Sequence, residues 1–298
     1  MNHKTELDHL TITLKDGRKI GYTEFGVPHG HPIFYFHGLP GSRLDAKSLQ
    51  DIAVLNQYRL IGIDRPGMGL STFLPNRTIL SWPEDIAEFA NSVHISNFSI
   101  IGHSGGAPYV AACAYKIPHR LQGAAIVSGM APFEYKEATT SLPNGRRVIN
   151  RAIKSVPFVA TGLMRLTLMM VSKPSMLKNM LKQLPEVDRC VMKNTNGHNI
   201  FIDSVKEGFR QGIYGASHDM QLSVKPWGFK LEDIEFPITI WHGGLDVQAP
   251  RAHANLYATL IPGAKLTFFE KEGHLSLLKN HGEEILRSIC RDSSGMKS

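Results

Sequence analysis

Apolar and polar positions change in blocks along both ends of the chain. Leu10–Leu14 and Arg18–Glu24 flank Asp16-Gly17, and two strand-like runs across such a turn predict a hairpin. Four short apolar runs follow: Pro32–Phe36, Arg59–Ile63, Phe98–Ile101 and Gln122–Val127. They end at His37-Gly38, Asp64, Gly102 and Ser128-Gly129. Continuous apolar runs of this length, closed by turn residues, predict strands buried on both faces of a parallel sheet. Helical stretches lie between them, at Ser42–Leu55, Pro83–Val93 and Gly105–Tyr115. In the second, Ser81 is placed to cap, and Pro83, Glu84 and Asp85 suit a first helical turn, where a missing N–H costs nothing and acids face the positive end of the helix dipole.

The alternation stops near Ala131 and resumes at Phe236, with strands at Pro237–Trp241 and Leu266–Phe269 and helices at Arg251–Leu260 and Leu275–Ile289. The intervening residues carry Pro143, Pro157, Pro174 and Pro185 between helical pieces, and hold seven of the eleven methionines. Strands alternating with helices imply right-handed βαβ units. The predicted architecture is therefore an α/β core of residues 1–130 and 236–298, with a helical insertion over 131–235.

Composition narrows the class. Of 298 residues, 42% are hydrophobic and 20% charged, enough to build a core and too apolar for disorder. The three cysteines, Cys113, Cys190 and Cys290, are widely spaced, so neither a disulfide framework nor a zinc site is expected, and a reducing, cytoplasmic setting follows. Met1–Leu10 is polar and no run of about 18 apolar residues exists, so neither a secretory signal nor integral membrane association is expected.

Gly102-His103-Ser104-Gly105-Gly106 fits G-x-S-x-G between a predicted strand and a predicted helix. That is the setting of a nucleophile elbow, a tight turn that leaves a serine hydroxyl exposed between small neighbours. The Gly105 N–H then sits at a helix start, where it can hold a developing oxyanion. A serine needs a base, and the base needs an acceptor to orient it. His274 in Glu272-Gly273-His274 and Asp246 in Trp241-His242-Gly243-Gly244-Leu245-Asp246 both follow predicted strands, in the chain order Ser, Asp, His. Asp219 is a rival acid, with a salt bridge between insertion and core as its simpler role. A second oxyanion donor is expected from His37-Gly38-Leu39-Pro40, where Leu39 has an N–H to offer and Pro40 has none. Metal-ligand spacing is absent, and no cofactor is expected.

These stretches, together with Asp64-Arg-Pro-Gly-Met-Gly69, resemble the serine α/β-hydrolases of the HGxP type, a branch that includes esterases, epoxide hydrolases and haloalkane dehalogenases. The resemblance covers residues 32–274 and implies an α/β-hydrolase fold: a mostly parallel eight-stranded sheet flanked by helices, with a helical lid at 131–235. It implies Ser104 as nucleophile, Asp246 as acid, His274 as base, Leu39 and Gly105 as oxyanion donors, and a bracing role for the Asp64–Gly69 loop. Epoxide hydrolases and dehalogenases attack with an aspartate at the elbow, so Ser104 points to acyl transfer on a small ester instead. An aminopeptidase, a C–C bond hydrolase, a cofactor-independent dioxygenase and a ligand sensor are other occupants of this scaffold.

The insertion is where substrate selection is expected. His37, Met164 and Met169 are the candidate substrate-binding residues, with shaping of the loop the simpler role for His37, and the methionines chosen because a flexible thioether side chain fills irregular apolar space. Residues 131–230 hold fifteen Lys and Arg against seven Asp and Glu, leaving eighteen against nineteen in the rest. The whole formal charge of +7 thus resides there. A solvated helical face explains such an excess, and attraction of an anionic ligand is the functional alternative. No recognition-helix or aromatic-interleaved basic motif is present, so the expected partner is a small molecule and not nucleic acid.

Overall fold

The computed structural model describes residues 7–193 and 195–290. Eight strands form one sheet in the order β1-β2-β4-β3-β5-β6-β7-β8. The predicted hairpin is β1 (Leu7–Thr13) and β2 (Lys19–Gly26), antiparallel, with Ile12 opposite Ile20. Strand β2 also runs antiparallel to β4 (Tyr58–Ile63). From there the sheet is parallel, through β3 (His31–Phe36), β5 (Phe98–His103), β6 (Leu121–Val127), β7 (Thr239–Gly243) and β8 (Lys265–Phe269). The sequence-based strands fall on these within a few residues. Residues Ile33 to Phe36 are buried on both sides of the sheet, which is why they read as an unbroken apolar run rather than an alternating one.

Helices cover both faces. On one side α2 (Trp82–Ser92), α3 (Ala107–Lys116) and α11 (Arg251–Leu260) close a core around Phe34, Phe36, Trp82, Phe89 and Tyr257. On the other, α1 (Gln50–Leu55) and α12 (Ser276–Ile289) pack on Ile33, Tyr35, Leu60 and Ile101. The helix expected at Ser42–Leu55 is in fact divided: Arg43–Leu49 is a 3-10 stretch and α1 begins at Gln50. The Ser42 hydroxyl caps that tighter winding by accepting from Leu44 N–H, and Arg43 at its start turns inward to Asp64.

Between β6 and β7 the described residues form α4 (Lys136–Thr140), α5 (Asn144–Ser155), α6 (Phe158–Ser172), α7 (Pro174–Lys182), α8 (Glu186–Lys193), α9 (Thr195–Gly208) and α10 (Tyr214–Ser223). Buried charge ties this helical segment to the core. Arg43, fully buried, donates to Asp64 and to Glu207 of α9, both at 2.8 Å. Asp219 of α10 accepts from Arg65 Nε at 2.8 Å, from Arg77 and from the Tyr109 hydroxyl. Burial pushes the Asp219 carboxyl up, but the two guanidinium groups outweigh it and hold the group well below the usual carboxylate range. Asp219 is thus the ion-pair bridge between segment and core, not an acid beside His274.

The segment also approaches the loops after β3 and β4 closely. A Cβ on Gly208 would lie 2.3 Å from the Gly41 carbonyl oxygen, so only glycine lets α9 settle there. Asp64 braces its own loop by accepting from the backbone N–H groups of Arg43 at 2.7 Å and Leu70 at 2.8 Å.

Candidate active site

Strand β5 ends in the glycine-flanked turn, and Ser104 takes φ 52° there. A side chain at this φ is strained, and the packing around the turn holds it in place. A Cβ on Gly102 would meet Gly106 O at 2.6 Å, and one on Gly106 would meet Phe36 O at 2.2 Å. The two small residues therefore let the turn close against itself and against β3. Ser104 is half-buried, at the carboxyl end of the central strands where open α/β sheets place their sites.

Gly105 and Leu39 adjoin each other. A Cβ on Gly105 would lie 3.0 Å from Leu39 N. Among the described residues no protein acceptor is found for Leu39 N–H. The loop that carries it is held from behind. Arg65 donates to the carbonyls of His37 and Gly38, and the Asp45 carboxylate accepts from Gly38 N–H at 3.1 Å. Burial raises the Asp45 carboxyl to about 6, against the pull of the Ser204 hydroxyl and the Gly38 N–H.

His274 follows β8, and Asp246 follows β7. His274 Nδ1–H donates to Asp246 Oδ2 at 2.8 Å, and Asp246 Oδ1 accepts from the N–H groups of Gln248 at 2.7 Å and Ala249 at 2.9 Å. Burial acts to raise the Asp246 carboxyl, but the His274 ring and these donors prevail and bring it down to about 2. Asp246 is therefore ionised at neutral pH, and the bond from Nδ1 leaves Nε2 as the nitrogen able to take a proton.

Of the other candidates, His37 is fully buried and both ring nitrogens are used. Its Nε2 accepts from Arg65 N–H at 3.2 Å, so its Nδ1 carries the hydrogen and donates to Gly38 O at 2.8 Å. It shapes the loop and has no surface to offer a substrate. Met164 is buried in the core of the helical segment with Met68, Val205 and Phe209, and Leu39 packs against that cluster. Met169 is 43% exposed on α6.

Two residues around His274 were not singled out by the sequence. His103, the residue before Ser104, packs on the His274 ring with centroids 5.0 Å apart and donates from Nε2 to the His274 carbonyl at 3.0 Å. Burial and the neighbouring His274 bring its pKa down to about 4, so it stays neutral at physiological pH. Asp188 of α8 accepts from His274 N–H at 3.0 Å. The variable position of G-x-S-x-G could have drawn attention to His103. Asp188 reads locally as one more acid in a helical first turn.

Two cavities of about 660 and 640 Å³ lie away from these residues. The first is at the opposite end of the sheet, near His31, Tyr58 and Cys290. The second lies among α6 to α9, where Lys178, Lys182, Arg189, Lys193 and Lys206 surround it and account for much of the basic excess. Among the described residues no group of His, Cys, Asp or Glu is arranged to hold a metal ion, and no helix is long and apolar enough to cross a membrane.

Comparison with known proteins agrees with this architecture. A proline iminopeptidase from Xylella fastidiosa is 29% identical over 119 residues, spanning 39% of this chain but only 38% of that relative's length. A non-heme haloperoxidase from Rhodococcus erythropolis is 26% identical over 274 residues, covering 88% of this chain and 92% of its own. Among solved structures, the esterase RhEst1 from Rhodococcus sp. ECU1013 superposes with a TM-score of 0.68 at 17% identity, over 95% of this chain and 98% of that one, which is a likeness of fold. The sequence profile of the alpha/beta hydrolase fold matches residues 31–281, and the chain belongs to that family.

Proposed function

We propose that this hydrolase-fold protein is a serine hydrolase that cleaves a small carboxylic ester through an acyl-enzyme. The observation that carries the reading is the 2.8 Å bond from His274 Nδ1 to an ionised Asp246; Ser104 is held at φ 52° on a strand-to-helix turn, and its neighbour His103 packs on the His274 ring. Ser104 Oγ attacks the ester carbonyl carbon and its proton passes to His274 Nε2. The carbonyl oxygen becomes an oxyanion held by the N–H groups of Leu39 and Gly105. The intermediate collapses, the C–O bond to the alcohol breaks, and His274 returns the proton to the leaving alkoxide. Water, deprotonated by His274, then attacks the acyl group and releases the acid and Ser104.

The helical segment acts as a lid in this reading. Its apolar cluster meets Leu39, so the residue that supplies an oxyanion amide also lines the approach for an acyl chain. Ester cleavage is preferred to amine-terminal peptide cleavage because the latter needs a carboxylate aimed at Ser104. Glu134 and Glu137, the carboxylates of the segment that could take that role, are both exposed, and Glu134 lies by Glu232 and Lys154. The test is turnover of p-nitrophenyl acetate and butyrate by the wild type and by Ser104→Ala. Turnover confined to the wild type supports the reading, and equal turnover by the variant refutes it.

A further inference from the structure

Helix α12 begins at Ser276, two residues after His274, and its N-cap residue Leu275 provides no capping side chain. Its first N–H groups need acceptors, because a helix start leaves them without intrahelical partners. Asp188 provides them from another part of the chain. Its carboxylate, fully buried, accepts from His274 N–H at 3.0 Å through Oδ2, and from Leu275 at 3.0 Å and Ser276 at 2.9 Å through Oδ1. Gly273 makes room for this: a Cβ there would lie 2.5 Å from Asp188 Oδ1. Gly273 N–H is taken in turn by the Ser276 hydroxyl at 2.8 Å.

His274 is consequently held at three points. Asp246 holds the ring, His103 holds the carbonyl, and Asp188 holds the N–H. The first two come from the core, and the third comes from α8 of the helical segment. A carboxylate at a helix N-terminus is well placed electrostatically, and its three charge-assisted bonds are short-range and directional. A shift of α8 would drag or release the backbone from which the histidine ring projects.

We propose that Asp188 is a positioning residue through which the helical segment holds the His274 loop in register with Ser104. The proposal rests on the reading of His274 as the base for Ser104. The segment then does two things: it covers the approach to the site and completes the backbone frame of the base. A displacement of about 1 Å in a catalytic group costs up to ~100-fold in rate, so loss of this clamp acts on chemistry rather than on substrate affinity.

Asp188→Ala removes both acceptor oxygens and leaves three N–H groups without them. Asp188→Asn is the milder variant, since it keeps the shape and one acceptor oxygen but turns an N–H donor toward an N–H donor. Two readouts are made on folded protein, with folding verified by thermal unfolding. The first is hydrogen exchange of the peptide containing His274, Leu275 and Ser276. The second is the rate of labelling by a fluorophosphonate, together with kcat and KM on p-nitrophenyl butyrate. The expected result is faster exchange at these amides in both variants, with labelling and kcat down roughly 10- to 100-fold in Asp188→Ala, less in Asp188→Asn, and KM within about twofold. Wild-type labelling rates in folded variants, or a raised KM at unchanged kcat, overturn the proposal. If the wild type exchanges slowly at these amides but does not label, the failure lies with Ser104 and His274 as a catalytic pair, and the positioning role falls with it. If exchange is fast in the wild type, the clamp itself is refuted.

Discussion

Replacing Asp219 by alanine tests how the helical segment is joined to the core. Asp219 is 3% exposed and receives Arg65, Arg77 and Tyr109. Removing it leaves two buried guanidinium groups without their counter-charge, a change that costs about 3–5 kcal/mol when the remaining groups cannot reach water. The structure points to the lower end. Arg65 keeps the carbonyls of His37 and Gly38 as acceptors, and Arg77 keeps the Tyr109 hydroxyl. The expected loss is therefore about 3 kcal/mol, a shift of roughly 1 M in the urea midpoint if m is near 3 kcal/mol/M. Tryptophan fluorescence reports it, since Trp82, Trp227 and Trp241 are all buried. The pH dependence has a sign. The folded carboxyl lies below its unfolded value, so its contribution is complete above about pH 4 and is lost as the pH falls through the folded pKa. A loss below about 1 kcal/mol, or an equal loss at pH 2, would refute the reasoning.

Other consequences follow from the same geometry. Gly105→Ala places a methyl 2.8 Å from Leu39 Cβ and should push the Leu39 amide away; kcat is expected to fall about 10²–10³-fold, measured on p-nitrophenyl acetate, with little change in KM. Asp246→Asn loses the ionised partner of His274, and kcat should fall about 10⁴-fold in the same assay. The Asp246 carboxyl is depressed to about 2, so the wild type should lose stability as the pH falls from about 4 toward 2, and Asp246→Asn should show a shallower loss over that window in urea titrations.

The core was legible because its signals are local. Apolar runs such as Ile33 to Phe36 end at the turns that hold the candidate site residues, and small residues from Gly102 to Gly106 mark a tight turn between a strand and a helix. The bond from His274 to Asp246 joins two such strand ends, so chain order was enough to pair them. Asp188, Arg65 and His103 act across long sequence distances: Asp188 reaches a loop 86 residues away, and nothing near it in the chain marks that target. His37 shows the converse. Its place in the motif invited a ligand role, but burial and two internal hydrogen bonds commit it to the loop. Side-chain exposure on helices with weak apolar patterning was equally hidden, which is why Met164 lies in a core and Met169 faces outward.

The central claim is that Ser104 is acylated with His274 as its base. The direct measurement is mass-spectrometric mapping of the adduct left by a fluorophosphonate, in the wild type and in Asp246→Asn. The account predicts a single adduct on the peptide carrying Ser104, formed much more slowly in the variant. An adduct on another residue, or equal rates in both proteins, would contradict it.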